Sequence, residues 1–447
     1  MKKIRFTKKD VLVLLIIFIY TGILITFSNA DNDLIWNYGF SYNFANNLLM
    51  YKDYNMVITP LYPFLCGSIM HLLGNNFIIF NLLNTIIASI MYFYLYKKHP
   101  KTFIPSILLI SFILRPSYNL LVLFLVLLII DFDEEKDFLL GLILGLIFLT
   151  KQSFIFLILP SISLLNKPKR LLKRVLGFLI PCLFFLSYFL ITKTLPFFLN
   201  YTFLGLFSFQ EKNSFFNIGT IIILSIVIVL IVYYIKTKDI KVLYLITYQI
   251  MAYPIFNAMH IFLSIIPVAI YFLNTKTSAF DFIQTPKSLS LKSNSNFHYL
   301  NYFLSILLIC PLLSIGLQYL TKDFKEGENV LKYKDIPMTY IVNKNTMLEE
   351  LPDINNTYFI MYDAYIYKYL LNKPINSYDL LLNGNMGYLG EEKVIEYFNS
   401  LEKTTYFLLN TTYEGGQLLE KIDNYIRANY FKVKSFNAFT LYEKKAF

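Results

Sequence analysis

Charge is scarce in this chain: of 447 residues only 15% are Asp, Glu, Lys or Arg, while 56% are hydrophobic and the mean hydropathy is +0.52. A soluble globular surface needs about a quarter of its residues charged, so a water-soluble fold is excluded. Cysteine is nearly absent. Cys66, Cys182 and Cys310 stand far apart in apolar runs, which excludes a metal-ligand spacing and gives no basis for a disulfide. No repeat of fixed period appears. Nor does the pair of Gly/Pro-broken mid-membrane helices, matched between two halves, that marks many transporters. Gly384, Gly387 and Gly390 alternate with polar residues too irregularly for a dinucleotide fingerprint. The net charge of +11 does not imply a nucleic-acid partner, because most basic residues sit in short loops between apolar runs, where orientation signals belong.

The apolar runs lie at about 11–27, 77–96, 102–114, 119–130, 138–150, 154–165, 175–192, 218–235, 242–256, 259–273 and 300–319. They predict an all-α polytopic membrane bundle of about eleven transmembrane helices. The first follows Lys2, Lys3, Arg5, Lys8 and Lys9. Ser28-Asn29-Ala30 imitates a cleavage site, but the run is longer than a signal core and is read as an uncleaved helix. Segment 59–73, with its two internal prolines, is read as a juxtamembrane helix rather than a span. The basic loops at 97–101, 166–174 and 236–241 then fall on the cytoplasmic side with the amino terminus. The acidic 131–137 loop joins them, because carboxylates contribute little to orientation. Residues 274–299 read as a flexible cytoplasmic connector. This map makes a multi-pass protein of the cell membrane, with a transmembrane domain at 1–320 and its first outer loop at 29–76. Gly141 and Gly145 form a small-xxx-small pattern expected to pack helices.

From about Thr321 the composition becomes that of a soluble domain, so 321–447 is expected to form an extracytoplasmic α/β domain. Strands are predicted at Thr339–Val342, Thr357–Met361, Thr405–Leu409, Phe431–Phe436 and Phe439–Tyr442, and helices at 391–401 and 414–429. The glycine-spaced stretch between them reads as a loop facing the membrane site. The sequons at Asn200, Asn355 and Asn410 all fall on the outer side and carry no functional inference.

The densest group of acids and aromatics beside an apolar run is Asn29 to Pro63, NADNDLIWNYGFSYNFANNLLMYKDYNMVITPLYP. Carboxylates at a bilayer rim are costly to desolvate unless they face water or a bound partner. Asp31 and Asp33 are therefore candidates for a general base, or simply cap a juxtamembrane helix. Trp36, Tyr38 and Tyr42 either anchor the interface or stack under a sugar ring. Arg115, Lys151 and His260 are isolated cations that the charge-derived map places on the outer face without having been used to draw it. Each alone reads equally as a snorkelling residue, or, for His260, as a core histidine.

The leading Asp, then "IWNYGFSYN" and "YKDYNMVITPLYPFL", resembles the first extracytoplasmic loop of the GT-C glycosyltransferases. That superfamily includes the protein O-mannosyltransferases and the aminoarabinose transferases. "GLIFLTKQS" and "YPIFNAMH" resemble further motifs of the family, although relatives often carry Asp where Asn257 stands. The resemblance covers roughly residues 11–320. It implies a polyprenyl-phosphate-linked sugar as donor and a glycan, lipid or protein as acceptor, transferred with inversion. It also puts Asp33 at the catalytic position. Leu34 replaces the Glu that many relatives carry next, so a second carboxylate role is lost or moved to Asp31. Asp53 matches a position that orients the loop or the acceptor. Lys151, Arg115 and His260 would hold the donor phosphate. Tyr118, Asn119, Gln152 and Asn257 flank them and are taken as substrate contacts. No cofactor is expected, since fixed cations can neutralise a monophosphate without a metal. Two alternatives stay open: an O-antigen-type ligase or polymerase using a pyrophosphate-linked donor, and a transporter or flippase for lipid-linked sugars.

Overall fold

The computed structural model describes residues 7–27, 32–132, 135–205, 218–252, 258–274, 338–360, 367, 370–371, 376–377, 386–388, 390–401, 406–410, 420–437 and 439–444. The chain is mostly helical, with a small carboxyl-terminal sheet. In order come α1 (Lys8–Phe27), α2 (Asn32–Ala45), α3 (Leu61–Leu73), α4 (Phe77–Lys98), α5 (Phe103–Ser111), α6 (Tyr118–Asp131) and α7 (Asp137–Thr150). A 3-10 helix, Gln152–Leu164, leads to α8 (Pro168–Ile191), α9 (Leu195–Thr202), α10 (Ile218–Thr237), α11 (Ile240–Tyr248) and α12 (Ala258–Asn274).

Each apolar run up to 273 forms a helix where it is described, but the expectation of about eleven spans is too high. Among the described residues four helices are long and apolar enough to cross a membrane: α1, α4, α8 and α10. Several shorter ones contribute central residues to the interior. Val122 and Val126 of α6, Ile147 of α7 and Leu245 of α11 are fully buried, whereas Leu183 and Phe184 of α8 and Ile221 and Ile228 of α10 are exposed, as lipid-facing residues must be. Segment 59–73 contains the 13-residue α3, too short to span. The span expected at 300–319, the connector before it and the domain boundary near 320 lie outside the described residues.

Clusters of polar side chains tie the helix ends on one side together in a belt. Asp10 and Thr7 cap each other reciprocally at the start of α1, and Lys97 at the end of α4 reaches the same carboxylate at 2.9 Å. Asp131 closes α6 against His99 (2.6 Å) and Tyr94 (2.9 Å). Asp137 of α7 receives Arg170 and Arg174 of α8, each at 2.6 Å, and Arg174 also donates to Tyr244 of α11 at 3.0 Å. Asp239 caps α11 and accepts from Tyr271 of α12 at 2.6 Å. Between α7 and α8 the backbones nearly touch. A Cβ at Gly141 would sit 1.9 Å from the Arg174 carbonyl, and one at Gly177 would sit 2.1 Å from that of Phe138. The packing expected of the small-residue pattern is thus present.

The carboxyl-terminal part has a five-stranded sheet of β1 (Thr357–Ile360), β2 (Asn376–Ser377), β3 (Tyr406–Asn410), β4 (Tyr430–Phe436) and β5 (Phe439–Lys444), in the order β2-β1-β3-β5-β4. β1 pairs parallel with β2 and β3, and β5 antiparallel with β3 and β4. Strand alternation splits its side chains between two cores. Ile360, Phe407 and Leu409 face the helices Glu391–Ser400 and Glu420–Asn429 through Val394, Phe398, Ile422 and Ile426. Phe359, Leu408 and Leu441 face the other way and share a core with Leu34, Tyr38, Tyr42 and Phe80 of the first loop and α4. The strand expected at Thr339–Val342 is instead part of a helix, Met338–Glu350. Met347 and Leu351 are buried one turn apart there, and that helical spacing outweighs the β preference of Thr-Tyr-Ile-Val.

Candidate functional site

The end of the bundle opposite the polar belt gathers the loops that the sequence singled out. Thr59 donates to the Phe148 carbonyl at 3.0 Å and Gln152 donates to the Val57 carbonyl at 2.8 Å, so the first loop is stitched to the end of α7. Lys151 follows α7 directly, in extended backbone (φ −154°, ψ 118°) that directs the chain from α7 into the 3-10 helix. Its ammonium lies 5.5 Å from the centre of the Tyr118 ring, 5.8 Å from that of Phe154 and 3.7 Å from the Met251 sulfur. Two aromatic faces and a thioether surround the charge.

His260, in the first turn of α12, is 7% exposed and within electrostatic reach of Lys151. Arg115 precedes α6 and lines a narrow pocket with Ser117, Asn119, Met259 and Leu263. Two cations, Lys151 and Arg115, and the buried imidazole of His260, from three separate helix ends, therefore border one region. Two amide oxygens in it, Asn119 Oδ1 and Gln152 Oε1, are buried without a hydrogen-bond partner among the described residues. An orphaned buried acceptor costs about 1–3 kcal/mol, so such positions fit a ligand's hydroxyl donors. Trp36 and Tyr118 are half-buried and pack on the same two hydrophobic clusters, which joins α2 to the Lys151 region. Asp33 is the second residue of α2, but the placement of its side chain, like Asp31 and Asn257 as a whole, lies outside the described residues.

Tyr38 and Tyr42 need correction as sugar-stacking residues. They are 1% and 2% exposed, and the Tyr38 ring meets Phe77 and Phe80 edge-on with centroids 5.1 and 5.5 Å apart. A ring with both faces in the core offers none to a ligand. They hold α2 to α4. Asp53 is exposed, and its Oδ2 accepts the Leu49 N–H at 2.7 Å within the turn.

Some contributors left no signal in the sequence. Met251 and Phe154 frame Lys151 but read as ordinary apolar residues. Asn200 of α9 accepts the Tyr388 N–H at 2.8 Å, so the glycine-spaced stretch, expected to face the membrane site, meets α9. Tyr358 and Tyr397 bring a hydroxyl pair, 3.1 Å apart, to the side of the carboxyl-terminal part near Asp53. Burial is the main cause that pushes both phenols' pKa up, and the Asp53 charge adds to it. Among the described residues no three His, Cys, Asp or Glu side chains gather as a metal site would require.

No protein-family model matches the chain, and no curated protein matches it either. Among solved structures, the archaeal oligosaccharyltransferase AglB from Archaeoglobus fulgidus, in complex with an inhibitory peptide and a dolichol-phosphate, aligns at 11% identity with a TM-score of 0.41. The alignment covers 98% of this chain and 74% of that one. A likeness of this size carries no argument about activity.

Proposed function

We propose that the chain is a membrane glycosyltransferase that moves a sugar from a polyprenyl-phosphate donor to an acceptor hydroxyl at the outer face of the membrane. The observation that carries this reading is the convergence of Lys151, His260 and Arg115 beside the first loop, with the orphaned amide oxygens of Asn119 and Gln152 among them. Phosphate needs cations, and a sugar needs amide and hydroxyl partners.

In the reaction proposed, the Asp33 carboxylate takes the acceptor's hydroxyl proton as the oxygen attacks the anomeric carbon. The bond from that carbon to the phosphate oxygen breaks on the opposite side, which inverts the centre. The lipid phosphate leaves with the bonding pair, and the added negative charge falls beside the Lys151 and Arg115 cations, with His260 beside them as a hydrogen-bonding partner. Charge bias assigns this end of the bundle to the outer face, where nucleotide sugars are absent and a lipid-linked donor is required.

Binding of a short-chain polyprenyl phosphate by the purified chain tests the reading. A charge-assisted hydrogen bond in a poorly hydrated site contributes about 1.5–3 kcal/mol. Lys151→Ala is therefore expected to weaken binding roughly 10- to 100-fold, and Lys151→Arg to recover part of it. Unchanged affinity in Lys151→Ala would leave that lysine a snorkelling residue and remove the donor site from this region.

A further inference from the structure

Several basic groups of the polar belt are held by partners. Lys97 meets Asp10, His99 meets Asp131, and Arg170 and Arg174 share Asp137. Lys136 and Lys238 lie over the Phe132 and Tyr234 rings, 5.4 and 5.7 Å from their centres. The start of α8 is different. Lys167, Lys169 and Lys173 are exposed there, and among the described residues none of their side chains enters an ion pair. Asp137, the carboxylate that α7 turns toward this end of α8, is taken by the two arginines.

What lies along the helix below these lysines decides what they can hold. At about 3.6 residues per turn, Lys169 and Lys173 share a face of α8 with Leu176, Ile180 and Leu183. All five are exposed, while Arg174, Gly177, Pro181 and Phe185 on the opposite face are buried. Leu172 and Phe184, also exposed, widen the stripe on either side. From Lys173 to Leu183 the helix rises about 15 Å, half of a hydrocarbon core of about 30 Å. The stripe therefore has the height of one leaflet, with cations at the headgroup level and apolar side chains beneath them.

We infer that this face of α8 binds an anionic phospholipid. Its headgroup phosphate lies against Lys169 and Lys173 with Lys167 beside them, and its acyl chains run along Leu176, Ile180 and Leu183. The pattern selects the ligand. A zwitterionic headgroup brings its own cation, so a cluster of lysines gains little from it. A soluble anion meets the lysines but leaves the apolar stripe unused. An amphiphile with a net negative head uses both, and each lysine near such a surface adds to the attraction. The site is separate from the proposed donor site, because Lys151 follows the far end of α7, whose near end carries Asp137.

Native mass spectrometry of the full-length chain in detergent, titrated with phosphatidylglycerol or with phosphatidylcholine of the same acyl chains, tests the site. Wild type is expected to prefer phosphatidylglycerol by about fivefold or more. Lys169→Gln combined with Lys173→Gln should weaken phosphatidylglycerol binding roughly tenfold and leave phosphatidylcholine unchanged. Lys169→Arg combined with Lys173→Arg, which keeps both charges, should bind as wild type does. Lys236→Gln combined with Lys238→Gln removes the same charge from the turn between α10 and α11, and should stay within about twofold of wild type. Equal retention of the two lipids by wild type would overturn the site. So would wild-type affinity, or a parallel loss of both lipids, in the Lys169 and Lys173 glutamine variant. An equal loss in the Lys236 and Lys238 variant would reduce the attraction to net charge and overturn it too. Displacement of the lipid by millimolar inorganic phosphate would leave a bare anion site in its place. Lys151→Ala should retain phosphatidylglycerol as wild type does, so failure of the donor reading leaves this site standing.

Discussion

Lys97, at the end of α4, holds Asp10, at the start of α1, at 2.9 Å, so the two longest helices flanking the first loop begin and end on the same side. The chain therefore leaves that side along α1 and comes back along α4, with α2 and α3 at the far end. On the charge-derived expectation the shared side is the cytoplasmic one, and labelling tests it. In a chain whose native cysteines are replaced by serine, Lys52→Cys should react with an impermeant thiol reagent in intact cells, and Lys101→Cys should not. Both positions are exposed, so accessibility does not favour either. The reverse labelling pattern would turn the site inward, and a lipid-linked donor would no longer be required.

The Asp137 cluster predicts stability. Its carboxylate and the Arg174 side chain are 2% and 3% exposed. Removing one member of such a pair leaves a buried charge unmatched, at a cost of about 3–5 kcal/mol. Asp137→Ala should lower the unfolding midpoint in detergent sharply. Asp137→Ala combined with Arg174→Met should regain much of the loss, because the stranded guanidinium is then gone. If the double variant is no more stable than the single one, the Arg170 charge left by Asp137 and the Tyr244 and Ser161 contacts of Arg174 carry the stability instead.

The fold was legible where pattern and packing agree. Thr357–Ile360 and Tyr406–Asn410 alternate aromatic and aliphatic residues toward two cores, and both were expected as strands. Thr339–Val342 misled because four residues of high β propensity sit inside a helix whose spacing shows only at Met347 and Leu351. In the site, Lys151, His260 and Arg115 stood out because an ionisable group in an apolar sequence is rare. Tyr38 and Tyr42 did not separate from a sugar platform, since an aromatic on a juxtamembrane helix looks the same facing a ligand or a core. Asn200 and Tyr388 are brought together by tertiary docking alone, which no local pattern records.

Asp33 sits in the first turn of α2, three residues before Trp36. If it is the base, Asp33→Asn removes basicity at nearly constant shape. Transfer should fall by about 10²–10⁴-fold, the usual contribution of a general base, while polyprenyl-phosphate binding stays within twofold of wild type. Transfer at near wild-type rate would move the assignment to Asp31. Parallel loss of donor binding would make the carboxylate a positioning group for the cations instead.

The last prediction concerns the docking of the carboxyl-terminal part. Gly387 adopts φ +81°, and a Cβ there would lie 2.1 Å from Asn200 Nδ2. Gly387→Ala therefore meets two obstacles, a left-handed backbone costing about 1–2 kcal/mol and a collision with the residue that accepts the Tyr388 N–H. Asn200→Ala removes the collision but also the hydrogen bond, worth about 0.5–1.5 kcal/mol. Gly387→Ala should increase protease cleavage near residues 386–390 and raise the acceptor KM severalfold, with donor affinity unchanged. The double variant should fall between Gly387→Ala and Asn200→Ala, since relief of the collision is partial while the backbone strain persists. Removing everything after Lys322 should weaken acceptor use further in the same direction. Equal loss of donor and acceptor binding in any of these variants would place donor contacts in the carboxyl-terminal part.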